Sequence, residues 1–161
     1  MKELTAGFDT VMFCLSKGLG APVGSMLVGS AAAMARARHF RKSLGGGMRQ
    51  AGVLAAAGLI ALEEMPARLG EDHANARLLA EAVRAQDAAE IDMTTVQTNI
   101  VIFKLLRGGD ATAFCAAMKE RGVMTSRIGP RAVRFVTHFD VSRKDCARAA
   151  EMVGDVLRGW N

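Results

Sequence analysis

The stretch Ser16–Ser25, Ser-Lys-Gly-Leu-Gly-Ala-Pro-Val-Gly-Ser, constrains this chain more than any other part of it. It places a single lysine, Lys17, after one apolar run, Thr10–Leu15, and before another, Val23–Val28. The first run is rich in large apolar residues and alternates poorly, so it reads as a buried strand; the second reads as another apolar strand. Gly18 and Gly20, just after the lysine, allow a tight turn and a close approach of the backbone to a ligand. A lysine between two buried strands has little water around it. Desolvation lowers a lysine's pKa and leaves the free amine that Schiff-base chemistry needs. The competing reading is a structural loop with an exposed lysine, and Ser-Lys-Gly alone does not decide between the two.

The string continues through Leu27–Val28–Gly29–Ser30. A second one follows, Arg41–Lys42–Ser43–Leu44–Gly45–Gly46–Gly47–Met48–Arg49–Gln50–Ala51–Gly52, and a third element is Arg134–Phe135–Val136–Thr137–His138. Together they closely resemble the threonine aldolases, in the β-eliminating lyase group of pyridoxal-phosphate enzymes. The resemblance implies an α/β chain of the aminotransferase-like fold (fold type I). Residues 1–66 would be the C-terminal portion of the large cofactor-binding domain, with the end of its sheet, and residues 67–161 the small α+β C-terminal domain. It implies pyridoxal 5'-phosphate as cofactor and aldol cleavage of threonine or allo-threonine to glycine and acetaldehyde by a homo-oligomer, a dimer or a tetramer.

The family's chains are longer, so the resemblance also implies that an N-terminal half is absent and that this chain is inactive alone. The ring-stacking histidine, phosphate loop, pyridine-facing aspartate and a second substrate arginine would all lie in that half. Two alternatives stay open. One is another β-eliminating lyase or a transaminase of the same fold; the other is a non-catalytic truncated product acting only as an association partner.

Residue by residue, the resemblance makes Lys17 the catalytic lysine that anchors the cofactor. Ser16 is either a donor to a cofactor phosphate oxygen or a turn-capping serine. Gly45–Gln50 is a glycine-rich entry to a helix, whose free N–H groups favour an anion, and Arg49 adds a full charge there. The resemblance gives Arg49 a role at the cofactor phosphate, in its own or a neighbouring subunit's site; the plain alternative is a solvated arginine beside a helix cap. Alternation in Val133–Val136 turns Arg134 away from Val133 and Phe135, and an arginine so placed needs an anionic partner. The resemblance offers the substrate α-carboxylate, which matches the planar guanidinium fork; the alternative is a solvated arginine on an edge strand. His138 is not read as catalytic, and His39 and His73 are expected at exposed helical positions.

Composition narrows the classes further. With 161 residues, 50% hydrophobic and 23% charged, the chain has the balance of a globular protein with one good core or two small ones. The net charge of +5 raises nucleic acid as a partner, but bases and acids intermingle after residue 60 without aromatic interleaving, which argues against it. An anionic small molecule accounts equally well for the local cluster Arg36, Arg38, Arg41, Lys42 and Arg49. The 3 cysteines, Cys14, Cys115 and Cys146, lack metal-ligand spacing and read as small buried hydrophobes in a reducing, cytoplasmic setting; no metal is expected. The N-terminus has no apolar signal-peptide region. The uncharged runs Gly18–Ala35 and Gln50–Leu62 are respectively broken by glycine and proline and too short, so neither is read as a membrane span.

The rest of the chain falls into short elements. Residues 1–8 read as the tail of a helix, Ala31–Leu44 as a helix with a basic outer face, and Gln50–Met65 as a helix that Pro66 ends. The alanine-rich faces of the last suggest burial against a partner chain. Leu69, Ala76, Leu79, Ala80 and Val83 form one helical stripe. Strands are expected at Asn99–Leu105, Val123–Ser126 and Val133–Thr137. Helices are expected at Ala111–Arg121, capped by Asp110, and after Ser142, with the stripe Cys146, Ala149, Ala150, Val153 and Leu157. The order βαββα predicts a small antiparallel or mixed sheet.

Overall fold

The two apolar runs around Lys17 pair with each other. In the computed structural model of the chain, which describes residues 2–160, β1 (Thr10–Cys14) and β2 (Ser25–Gly29) form a two-stranded antiparallel sheet, from Thr10 opposite Gly29 to Cys14 opposite Ser25. The burial expected of both strands is not found. All of β2 is exposed, and Met12 in β1 is 61% exposed. A pair of strands has two faces to cover, and the helix packed on β2 cannot cover both.

That helix, α2 (Ala31–Ser43), starts where Ser30 Oγ accepts from the Ala33 N–H at 3.2 Å. It ends at Leu44, after which Gly45 takes φ +80° and turns the chain away. α3 (Gly52–Glu63) is followed directly by α4 (Met65–Arg84). Pro66 therefore does not terminate a helix. It sits in the first turn of α4, where its missing N–H has no partner to lose. At the N-terminal end, α1 (Lys2–Thr5) gives way to a turn with Gly7 at φ +88°; Met1 lies outside the described residues.

The chain divides into two units, Met1–Ala67 and Arg68–Asn161, the boundary falling within α4. The second unit holds β3 (Ala89–Glu90), β4 (Ile100–Leu105), α5 (Ala111–Glu120), β5 (Ser126–Arg127), β6 (Ala132–Val136) and α6 (Arg143–Arg158). Its sheet runs β3-β4-β6-β5 and every pairing is antiparallel, which settles the choice between an antiparallel and a mixed sheet. The two-residue β3 carries too short a pattern to be read from sequence, and the strand expected at Val123–Ser126 begins only at Ser126.

Strict alternation positions the core. Val101, Phe103 and Leu105 of β4 and Val133 and Phe135 of β6 are buried with Ala76, Leu79, Ala80 and Val83 of α4 and Val153 and Leu157 of α6. Phe103 stacks on Phe135 with ring centroids 5.4 Å apart and meets the edge of Phe114 at 5.6 Å. Ile100, Ile102, Lys104, Arg134 and Val136 alternate with these core residues and belong to the sheet's other face.

The caps read from sequence are present. Asp110 accepts from the N–H groups of Thr112 and Ala113, both at 2.9 Å, and Ser142 and Asp145 close a reciprocal capping box at the start of α6. Gly122, at φ +79°, ends α5.

Candidate functional site

The Lys17 loop is tied at its base. The Leu15 N–H donates to the Gly24 carbonyl, and the Ala21 N–H to the Leu15 carbonyl, both at 3.0 Å. The Gly20 N–H reaches the Lys17 carbonyl at 2.8 Å, closing a tight turn with Gly20 at φ +74°. Gly20 has a second reason to be glycine: a Cβ there would lie 3.2 Å from Met65 Cε. Under the loop, Leu15 and Ala21 are buried against Ala61 of α3, with Phe13 and Leu19 packed alongside. At Gly58 of α3 an added Cβ would sit 3.4 Å from Leu15 Cδ1, an ordinary contact distance, so this helix passes close beneath the loop. α3 thereby fixes the backbone while Ser16 and Lys17 stay exposed, and Lys17 makes no ion pair among the described residues. The water-poor setting expected for Lys17 is absent: Lys17 itself is exposed, β2 is exposed throughout and β1 is only partly covered.

Arg49 is exposed in the loop between Gly45 and α3. Its neighbour Gln50 takes φ +47°, a conformation otherwise confined to glycines among the described residues. Ala51 caps α3 without any side-chain hydrogen bond, so the first N–H groups of α3 receive no acceptor from their cap. Arg36, Arg38, Arg41 and Lys42 are all exposed on α2.

Arg134 lies in the second unit. β6 runs between β4 and β5, so the edge-strand alternative does not hold; Arg134 sits between Ile102 on one side and Ser126 on the other. It is half-buried, its Nε is sealed from solvent without a hydrogen-bond partner, and no acid pairs with it among the described residues. A guanidinium kept this way is costly unless an anion arrives.

A set of buried polar residues nearby escaped the sequence reading. Asp72 is fully buried on α4, where Arg68 grips it through two hydrogen bonds of 2.8 and 3.2 Å. The Thr137 hydroxyl donates to the Asp72 backbone carbonyl at 2.6 Å, and the Asn99 carboxamide donates to the Thr137 carbonyl at 2.8 Å. These bonds fix the end of β6 three residues beyond Arg134. The Arg68/Asp72 spacing of four on a helical pattern was the available signal.

The remaining candidates resolve simply. His138 is exposed with Nδ1 3.3 Å from an Asp140 carboxylate oxygen; His39 is exposed, whereas His73 is half-buried rather than exposed. Only Cys146 is buried; Cys14 and Cys115 are intermediate, and all three are free. Burial pushes the Cys146 thiol pKa up, which keeps it protonated and unreactive. Among the described residues no group of His, Cys, Asp or Glu is placed to hold a metal ion, and no helix is long and apolar enough to cross a membrane.

Comparison with known proteins gives a consistent picture. Residues 1–105 match the family model described as beta-eliminating lyase. The low specificity L-threonine aldolase of Escherichia coli O157:H7 is 47% identical over 150 residues, which covers 93% of this chain and 43% of that protein. Among solved structures, a Listeria monocytogenes EGD-E protein assigned as an L-allo-threonine aldolase superposes with a TM-score of 0.78 at 18% identity, over 98% of this chain and 46% of that one. A PLP-dependent aminotransferase from Streptococcus suis 89-1591 gives 0.69 at 15% identity, over 94% and 42%. The chain thus has the fold shared by these enzymes and spans less than half the length of the relatives it matches.

Proposed function

The chain belongs to the beta-eliminating lyase family, and on that footing we propose that it provides the cofactor-anchoring segment and small domain of a pyridoxal-phosphate-dependent threonine aldolase. The observation that carries the reading is Lys17, accessible and without an ion pair among the described residues, on a loop tied at both ends and wedged over α3. When bound there, the cofactor supplies the electron sink for breaking the Cα–Cβ bond. The residues of this chain fit it in chemistry: a free primary amine, a neighbouring hydroxyl, and an arginine beside an open helix N-terminus.

Lys17 Nζ would hold the cofactor, and as a free amine would accept and return a proton. Ser16 Oγ donates to a phosphate oxygen. Arg49 and the first N–H groups of α3 hold the phosphate's charge, in the same or a neighbouring subunit. Arg134, with its unsatisfied Nε, grips the α-carboxylate and so fixes which bond at Cα is broken. Residues 1–66 act as the end of the large domain and residues 67–161 as the small one. The exposed apolar side of α3, with Val53, Leu59, Ile60 and Leu62, is where further chain or a second subunit packs, giving a homo-oligomeric enzyme of the cytoplasm.

The test joins this chain to the part of the Escherichia coli relative that it does not match and assays a panel of amino acids. Threonine and allo-threonine should yield glycine and acetaldehyde in equal amounts. Release of ammonia from β-substituted amino acids, or transfer of the amino group to a keto acid, without aldehyde, would instead establish a lyase or transaminase of the same fold.

A further inference from the structure

The second unit contains a cavity of about 500 Å³ whose residues the reading above does not use; it lies between α4 and the turn into α6. One of its lining residues is Asn75, only 4% exposed, whose side-chain Oδ1 is sealed from solvent and accepts no hydrogen bond. A buried carbonyl in that state destabilises the fold until a donor reaches it. Phe139 supplies an apolar wall, held beneath the Arg68 guanidinium at 4.9 Å from the ring centroid. Arg68 is not a free cation, since Asp72 occupies two of its nitrogens. Two other charged residues of opposite sign do line the space. Glu71 comes from α4, with a carboxylate oxygen 3.7 Å from Arg68; Arg143 opens α6 and makes no ion pair among the described residues.

The signs decide what can enter. A simple anion meets Glu71 and, through the capping box, the Asp145 carboxylate at the head of α6. A simple cation meets Arg143 and the positive end of the α6 dipole. A dipolar molecule satisfies both, and a donor at one of its ends satisfies Asn75. We propose that this cavity binds a small free α-amino acid. Its ammonium group donates to Asn75 Oδ1 and faces Glu71, its carboxylate faces Arg143 on the side away from Asp145, and its side chain lies on Phe139 and Val141.

The test titrates the ¹⁵N-labelled chain, without cofactor, with glycine, alanine and threonine, and separately with acetate, ethylammonium and inorganic phosphate. Saturable amide shifts at Asn75, Ser142, Arg143 and Lys144 are expected with the amino acids, and binding of the three half-analogues at least about tenfold weaker. Arg143→Gln and Asn75→Leu should each weaken amino-acid binding about tenfold, and Lys119→Gln on α5 should leave it unchanged. Should Asn75→Leu fail to fold, the exposed Arg143→Gln carries the test alone. The proposal is overturned if no amino acid gives saturable shifts, if Arg143→Gln binds as tightly as the parent, or if phosphate binds as well as the amino acids. Neither cofactor nor aldol cleavage enters the readout, so failure here and failure of the aldolase reading are separate events.

Discussion

At the scale of single residues, Arg68 and Arg134 of the second unit show opposite conditions. Arg68 has its anion in place: Asp72 is fully buried and held by two hydrogen bonds. Replacing Asp72 by alanine strands Arg68 beside a cavity and should lower unfolding free energy by about 3 kcal/mol, as measured by urea titration of the second unit's signal. A loss under about 1 kcal/mol would mean that Arg68 finds solvent or Glu71 instead. Arg134 has no anion in place. In the completed enzyme, Arg134→Ala should raise KM for threonine by at least about tenfold while leaving the cofactor absorbance intact, because a lost charge-assisted hydrogen bond is worth about 2 kcal/mol. An unchanged KM would remove Arg134 from the substrate site. Alternation along β6 was enough to foresee which way Arg134 turns. It could not show that β6 is an inner strand, because strand order depends on pairings far apart in sequence. Asp72 was missed for a different reason: its spacing from Arg68 suggests a pair, but an acid on a helical pattern reads as solvated until the neighbour that buries it is known.

At the scale of elements, caps and stripes were the legible part. The stripe of α6 and its Ser142 cap were legible from local spacing alone; the structure forms the cap and buries Cys146, Val153 and Leu157, with Ala149 and Ala150 half-buried, while Asp145 as the reciprocal partner of Ser142 went unread. Ser142→Ala should cost about 1 kcal/mol in the second unit's stability, read by urea denaturation. Two cap carboxyls carry a pH dependence. The backbone N–H of Ala113 holds the Asp110 pKa below the usual range, and the Ser142 hydroxyl does the same for Asp145. Groups depressed in the folded state give stability that is present above the unfolded pKa of about 4 and is lost as pH falls through their lower folded values. The thermal midpoint should therefore drop on acidification below about pH 4, and the drop should flatten in an Asp110→Asn, Asp145→Asn double variant. An equal drop in both would assign acid sensitivity to other carboxyls. Where the elements were misread, the cause was an unseen neighbour or an ambiguous residue. Pro66 is compatible with ending one helix or opening the next, and only the break at Glu64 decides it. The strands flanking Lys17 have the composition of buried strands, yet β2 lies exposed and β1 is only partly covered, since composition records what a strand is suited to pack against rather than what is present.

At the scale of the whole molecule, the two units differ in how well they cover their apolar residues. The second has a closed core around Phe103, Phe114 and Phe135. Among the described residues the first buries Leu15, Ala21 and Ala61 as a small cluster and leaves Val53 84% exposed. Residues after Ala67 should accordingly survive limited proteolysis, with cleavage concentrated before it. Val53→Ser together with Ile60→Ser should reduce self-association in sedimentation velocity without lowering the second unit's melting temperature. Early cuts spread evenly over both units would show that coverage does not set local stability here. Reductive trapping shows whether Lys17 is the residue that anchors pyridoxal phosphate. The chain, joined to the unmatched part of the Escherichia coli relative, is mixed with the cofactor, reduced with borohydride, digested and mapped by peptide mass. One pyridoxyl group is expected, on Lys17, and it should be lost in Lys17→Ala. Label spread over Lys2, Lys42, Lys104 and the other lysines, or persisting in Lys17→Ala, would contradict it.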